Sequence, residues 1–147
     1  MIIHRRGILG LGAALALGGV GTARAITYAP PERWLYFDYG SAELSPEAVQ
    51  IIIGMKSEFD AWAGPSQIAR YELIGSIDGQ ETAARLKPLV GRRIEAVTKV
   101  MLTSGVTPAQ ISVRRAIPGD FPHFERGEEQ PLARAVHVQR PFVVHIP

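Results

Sequence analysis

Cysteine is absent from the 147 residues. That excludes a disulfide framework, a thiol nucleophile, a thiolate metal site and the lipid-modified cysteine that anchors bacterial lipoproteins. Long apolar runs are also missing. The longest, Ile8 to Val20, has 13 residues, short of the roughly 20 that cross a bilayer as a helix. Alternating strands in the number an outer-membrane barrel needs are not present, and no internal repeat is found. His123, His137 and His145 lack the helical spacing of a zinc pair, so no metal site and no cofactor is expected. Asp38 and Glu43 are the nearest thing to paired acids for glycan cleavage. The reading preferred to that is a strand-end acid that ties the adjacent turn through backbone N–H groups. No catalytic constellation emerges, and an enzyme such as a cell-wall hydrolase is not expected.

What is present divides in two. Residues 1–25 read as an export signal: a basic head with Arg5 and Arg6, the Gly/Ala/Leu run, and the small-x-small site Ala23-Arg24-Ala25. The Arg5-Arg6 pair, the glycine-rich core and Arg24 near the cleavage site fit a twin-arginine route, with general secretory export as the alternative. Cleavage leaves 122 residues. It removes three of the 16 Lys and Arg and none of the 14 acidic residues, so the exported chain carries a net charge of −1. The pI of 9.2 for the whole chain therefore implies no nucleic-acid partner and no anionic-lipid surface. A soluble periplasmic protein, not membrane-anchored after cleavage, is the expectation.

Residues 26–33, with Pro30-Pro31, form a short leader, and residues 34–147 one domain. Trp34 to Tyr39 reads as a strand. Ser45 as N-cap and Pro46 at the first position open a helix with Ala48, Ile52, Met55, Phe59 and Trp62 on one face, and Gly64-Pro65 stops it. Arg70 to Ile77 is a second strand, followed by a loop at Asp78 and a second helix broken or kinked near Pro88. Ile111 to Ile117 and Arg134 to Gln139 are further strands, with Phe142 to Ile146 a fifth or an extension past Pro141. His137 and His145 are expected to point outward. The order β-α-β-α-β-β predicts an α+β fold, a mixed sheet with two main helices packed on one face.

One residue breaks the pattern. Arg93 falls in the apolar stripe of the second helix, among Leu86, Leu89, Val97 and Met101. A guanidinium on an inward face needs a carboxylate, a ligand or a cleft, and Asp78, at the end of the apolar run Tyr71 to Ile77, is the candidate carboxylate. The pair is either a ligand-binding pair or an internal ion pair. Arg92 is read as a solvated charge.

Several stretches together resemble the OmpA-like periplasmic domain family. The opening Phe37-Asp38-Tyr39-Gly40-Ser41-Ala42-Glu43-Leu44-Ser45-Pro46 is similar to the start of that domain. Gly75-Ser76-Ile77-Asp78 falls on its Gly-His/Tyr-Thr-Asp, and Leu89-Val90-Gly91-Arg92-Arg93-Ile94 on its Leu-Ser-x-x-Arg-Ala. Arg134-Ala135-Val136-His137-Val138 is similar to its last strand. The resemblance implies a non-enzymatic module that binds the peptide stem of peptidoglycan at diaminopimelate, with Asp78 taking the ammonium and Arg93 the carboxylate. It places Arg134 on an arginine near that site. Ile77, Leu86, Val90 and Ile94 replace the family's Thr, Asn, Ser and Ala, and Gln80 to Ala83 replace its Gly-Ser loop. These changes toward bulk and apolarity motivate an alternative, a diverged OmpA-like scaffold that serves an envelope protein partner without cell-wall binding.

Overall fold

The computed structural model describes residues 30–64 and 67–145. The predicted signal segment, residues 26–29 of the leader, and Pro65 lie outside the described residues. Five strands form one sheet: β1 (Arg33–Tyr36), β2 (Gln67–Gly75), β3 (Ile111–Arg114), β4 (Ala135–Val138) and β5 (Phe142–His145). The helices are α1 (Pro46–Ala63), a short α2 (Gly79–Ala83) and α3 (Pro88–Thr103). The sheet order is β1-β4-β2-β3. β4 runs antiparallel to both β1 and β2, and β3 runs parallel to β2. β5 continues past Pro141 to pair with the first half of β2, Gln67 to Arg70. This is the α+β mixed sheet that the element order predicts.

Local chemistry accounts for the helix limits. The Ser45 hydroxyl accepts from the Ala48 N–H at 3.1 Å, and Pro46 occupies a first-turn position where its missing N–H costs nothing. Ala48, Ile52, Met55 and Phe59 face the sheet as expected; Ala63 replaces Trp62 as the last buried member of the stripe. Gly64 ends the helix at φ 77°, a left-handed value that glycine adopts without a Cβ clash.

The predicted second helix is two helices. α2 closes in a Schellman arrangement, with Leu86 N–H donating to Glu81 C=O at 2.9 Å and Arg85 N–H to Thr82 C=O at 3.1 Å. Arg85 stands at the left-handed position with φ 62°, a place normally given to glycine. Pro88 then opens α3 rather than kinking a continuous helix.

α1 and α3 pack on the same face. Leu35 and Phe37 from the first strand region, Tyr71 and Leu73 from β2, and Val136 and Val138 from β4 meet Ile52, Met55 and Phe59 of α1 and Val97 and Met101 of α3. Phe59 and Tyr71 stack at 5.0 Å. The other face is covered by the segment between β3 and β4. Phe121 packs edge-on against Trp34 at 5.4 Å, and Trp34 stacks on His137 at 3.9 Å. His137 is therefore buried, not outward-facing, with Nε2 2.9 Å from a Glu32 carboxylate oxygen. Its expected exposure assumed a bare second sheet face. The side chain of His145 lies outside the described residues.

Arg85→Gly supplies the residue type that the left-handed position favours. It should stabilise the domain by about 0.5–1 kcal/mol, read as a higher urea midpoint with an unchanged slope.

Candidate functional site

Arg93 lies on the buried face of α3, between Leu89 and Val97 one turn to either side, and is wholly inaccessible to solvent. Its partner is Glu81 of α2. Nη2 meets Glu81 Oε1 at 2.6 Å and Nη1 meets Oε2 at 2.9 Å, a bidentate fork. The remaining donors go to main-chain carbonyls: Nε to Ser41 at 2.8 Å, Nη1 to Ser76 at 3.1 Å, and Nη2 to Asp38 at 3.1 Å. A guanidinium has five N–H donors, and all five are used. The ring of Phe37 lies 5.1 Å from the guanidinium carbon.

Glu81 is as fully engaged. Oε1 also accepts the Gly40 N–H at 2.9 Å and Oε2 the Asp78 N–H at 3.3 Å. The latter is half of a capping box, whose other half is the Glu81 N–H donating to Asp78 Oδ1 at 2.9 Å. Glu81 thus links the two sequence-predicted residues, which share no hydrogen bond or ion pair with each other.

Asp78 is the N-cap of α2 and is also inaccessible. Its Oδ2 receives the Arg134 guanidinium, from Nε at 2.8 Å and Nη2 at 2.7 Å, and the Gln130 N–H at 3.1 Å. Burial opposes ionisation. The Glu81 and Gln130 N–H groups and the Arg134 guanidinium outweigh it and hold the Asp78 carboxyl below the usual carboxylate range. Arg134, buried just before β4, is likewise held in its charged form: burial works against it, and the Asp78 carboxylate overcomes that.

The segment that covers this corner passes very close to α2. Gly127 N–H donates to Gly79 C=O at 2.7 Å and Gln80 N–H to Glu128 C=O at 3.0 Å. A Cβ on Gly79 would lie 1.9 Å from the Glu125 carbonyl oxygen, so only glycine permits the approach.

All three sequence-predicted site residues, Asp78, Arg93 and Arg134, gather at this corner. Arg93 pairs with Glu81 rather than Asp78, and Asp78 pairs with Arg134. Arg92 is exposed, as expected. Asp38 contributes through its backbone, its carbonyl accepting from Arg93 and from the Ser41 N–H. Glu81 is the member that the sequence reading missed, and the signal that could have found it is the capping-box spacing Asp78-x-x-Glu81. Ile77, Val90 and Ile94 share a second feature of the surface beside this corner. Together they line a groove of about 720 Å³ that also takes in Lys87, Val113 and Arg115. Among the described residues no group of metal-ligating side chains is found, and no helix is long and apolar enough to cross a membrane.

No protein-family model matches the sequence, and no curated protein matches it significantly. Solved structures do match in fold. The peptidoglycan-associated lipoprotein from Burkholderia pseudomallei is similar at 19% identity and TM-score 0.56, over 75% of this chain and 90% of its own. The OmpA-like domain of FopA1 from Francisella tularensis subsp. tularensis SCHU S4 is similar at 17% identity and TM-score 0.52, over 78% and 75%. The C-terminal domain of Helicobacter pylori MotB is similar at 17% identity and TM-score 0.52, over 77% and 85%. The fold is therefore that of the OmpA-like domains. At these identities the chain stands as a diverged example of it.

Removing one partner of a buried pair leaves the other charge uncompensated. Arg93→Met and Glu81→Leu should each cost about 3–5 kcal/mol, and the double variant far less than the sum; a double-mutant cycle by urea unfolding measures the coupling. Asp78, with a depressed folded pKa, contributes stability above its unfolded value of about 3.9. That contribution is lost as pH falls through the lower folded value. Arg134→Met should accordingly lower stability at neutral pH and flatten the acid limb of stability below about pH 4, as followed by urea midpoints across pH.

Proposed function

We propose that this chain is a non-enzymatic, exported module of the bacterial envelope that keeps the OmpA-like fold as a scaffold. It acts through a protein partner rather than by gripping the peptide stem of peptidoglycan. Residues 1–25 supply the export signal, and the mature domain works in the periplasm. The observation that carries this reading is the filled guanidinium. All five N–H donors of Arg93 are committed inside the protein, two of them to the Glu81 carboxylate.

The chemistry is substitution of a ligand by the protein's own side chains. A diaminopimelate stem would offer a carboxylate to Arg93 and an ammonium to Asp78. Glu81 already supplies the carboxylate and Arg134 the cation, both desolvated and held by further hydrogen bonds. A ligand would have to displace two buried charges and leave each unpaired, a cost of several kcal/mol per ion. The second reading, retained stem binding, draws on the same complementarity: Glu81 and Arg134 present the two groups for which a zwitterionic ligand could exchange.

Co-sedimentation with purified sacculi separates the two. The wild-type protein should remain in the supernatant with or without free diaminopimelate. Pelleting that free diaminopimelate competes away would overturn the scaffold reading.

A further inference from the structure

The groove lined by Ile77, Val90 and Ile94 lies between α3 and β3. β3 is an edge strand: its inner side pairs with β2, and no strand pairs with its outer side among the described residues. Val113 of β3 is the register partner of the core residue Leu73, so its side chain stands on the helix-covered face of the sheet. α3 does not reach over it, and it is 57% exposed. Val90 and Ile94 sit down onto the sheet at Gly75, where even a Cβ would meet them at 3.0 and 2.9 Å. The result is an apolar floor beside an open strand edge.

The rim is charged with one sign. Lys87, Arg114 and Arg115 line the groove and no acidic residue does. Arg114 is occupied by Asp120, at 2.9 and 3.0 Å, and by Glu72. Lys87 and Arg115 are exposed and make no ion pair among the described residues. Two free cations over an apolar floor, on a mature chain whose net charge is slightly negative, are complementary to an acidic segment with apolar side chains.

We propose that this groove is a docking site for an extended, acidic segment of a partner protein, which places apolar side chains on Val90, Ile94 and Val113. Its carboxylates face Lys87 and Arg115, and its backbone adds to the outer edge of β3. Strand addition gives affinity through main-chain hydrogen bonds, and the alternate side chains select the sequence. The charges set the partner's sign and the encounter rate. The proposal rests on the scaffold reading and gives it a surface. It also assigns the bulky residues Ile77, Val90 and Ile94 a positive role: they are the contact floor.

The test uses the full exported chain and a short synthetic peptide alternating Glu and Val, titrated by NMR, with a Lys/Val peptide and phosphatidylglycerol vesicles as controls. The acidic peptide should shift the amides of Val113 to Ala116 and the methyls of Ile77, Val90 and Ile94, while the basic peptide leaves them unmoved. Lys87→Glu with Arg115→Glu should weaken binding about tenfold or more. Both positions are exposed, so circular dichroism should report an unchanged fold. Equal binding of both peptides, binding of neither, shifts elsewhere on the domain, or groove shifts with vesicles alone would overturn the proposal. Its failure is separable from that of the scaffold reading. A chain that neither pellets with sacculi nor takes the acidic peptide refutes the groove alone. One that pellets competitively and takes the peptide refutes the scaffold reading alone.

Discussion

A single buried guanidinium ties the corner of the domain together. Arg93 belongs to α3, yet its five hydrogen bonds end on the turn after β1, on the end of β2 and on α2. No apolar side chain of similar size could substitute without orphaning the Ser41 and Ser76 carbonyls and leaving the Glu81 carboxylate without a counter-charge. Buried ion pairs give little net stability because desolvation offsets most of the attraction. What this one supplies is position: it fixes where three chain segments meet.

The second pair extends the same arrangement outward. Asp78 caps α2, anchors Arg134 and takes a hydrogen bond from Gln130, and the segment Glu125 to Gln130 closes over it through Gly79. Glu81 is shared by both halves, through its side chain toward Arg93 and its N–H toward Asp78. In the family that the chain resembles, the two charges are expected to grip a zwitterionic peptide. Here Arg93 and Asp78 are paired within the protein, with Glu81 and Arg134, and the bulky apolar residues nearby line a separate groove. On the scaffold reading we propose, the ionic corner serves the fold and the recognition surface lies beside it.

The local elements were legible in the sequence because their causes are local. Ser45, Pro46 and Gly64 mark α1 whatever surrounds them, and Arg93 stands out wherever its stripe is drawn. Strand ends were less legible, because long-range contacts set them. Beyond Tyr36 the chain leaves the sheet through the Gly40 turn, and β3 stops at Arg114, whose side chain engages Asp120. The partner of Arg93 was hidden for a geometric reason. In one continuous helix Glu81 would lie about 18 Å along the axis from Arg93. The break at Arg85 and Pro88 folds α2 back and brings the two into contact. His137 was misjudged for a related reason: the covering segment between β3 and β4 carries no periodicity that reveals which face it will bury.

The most direct measurement of the central claim is nitrogen-detected NMR of the arginine side chains of the domain, before and after addition of diaminopimelate. A guanidinium with every N–H bonded inside the protein should give Arg93 separate, slowly exchanging Nη signals without any ligand, and diaminopimelate should leave them in place. Averaged, rapidly exchanging signals that sharpen or move on adding diaminopimelate would contradict the account, because they would mean that Glu81 does not fill the site.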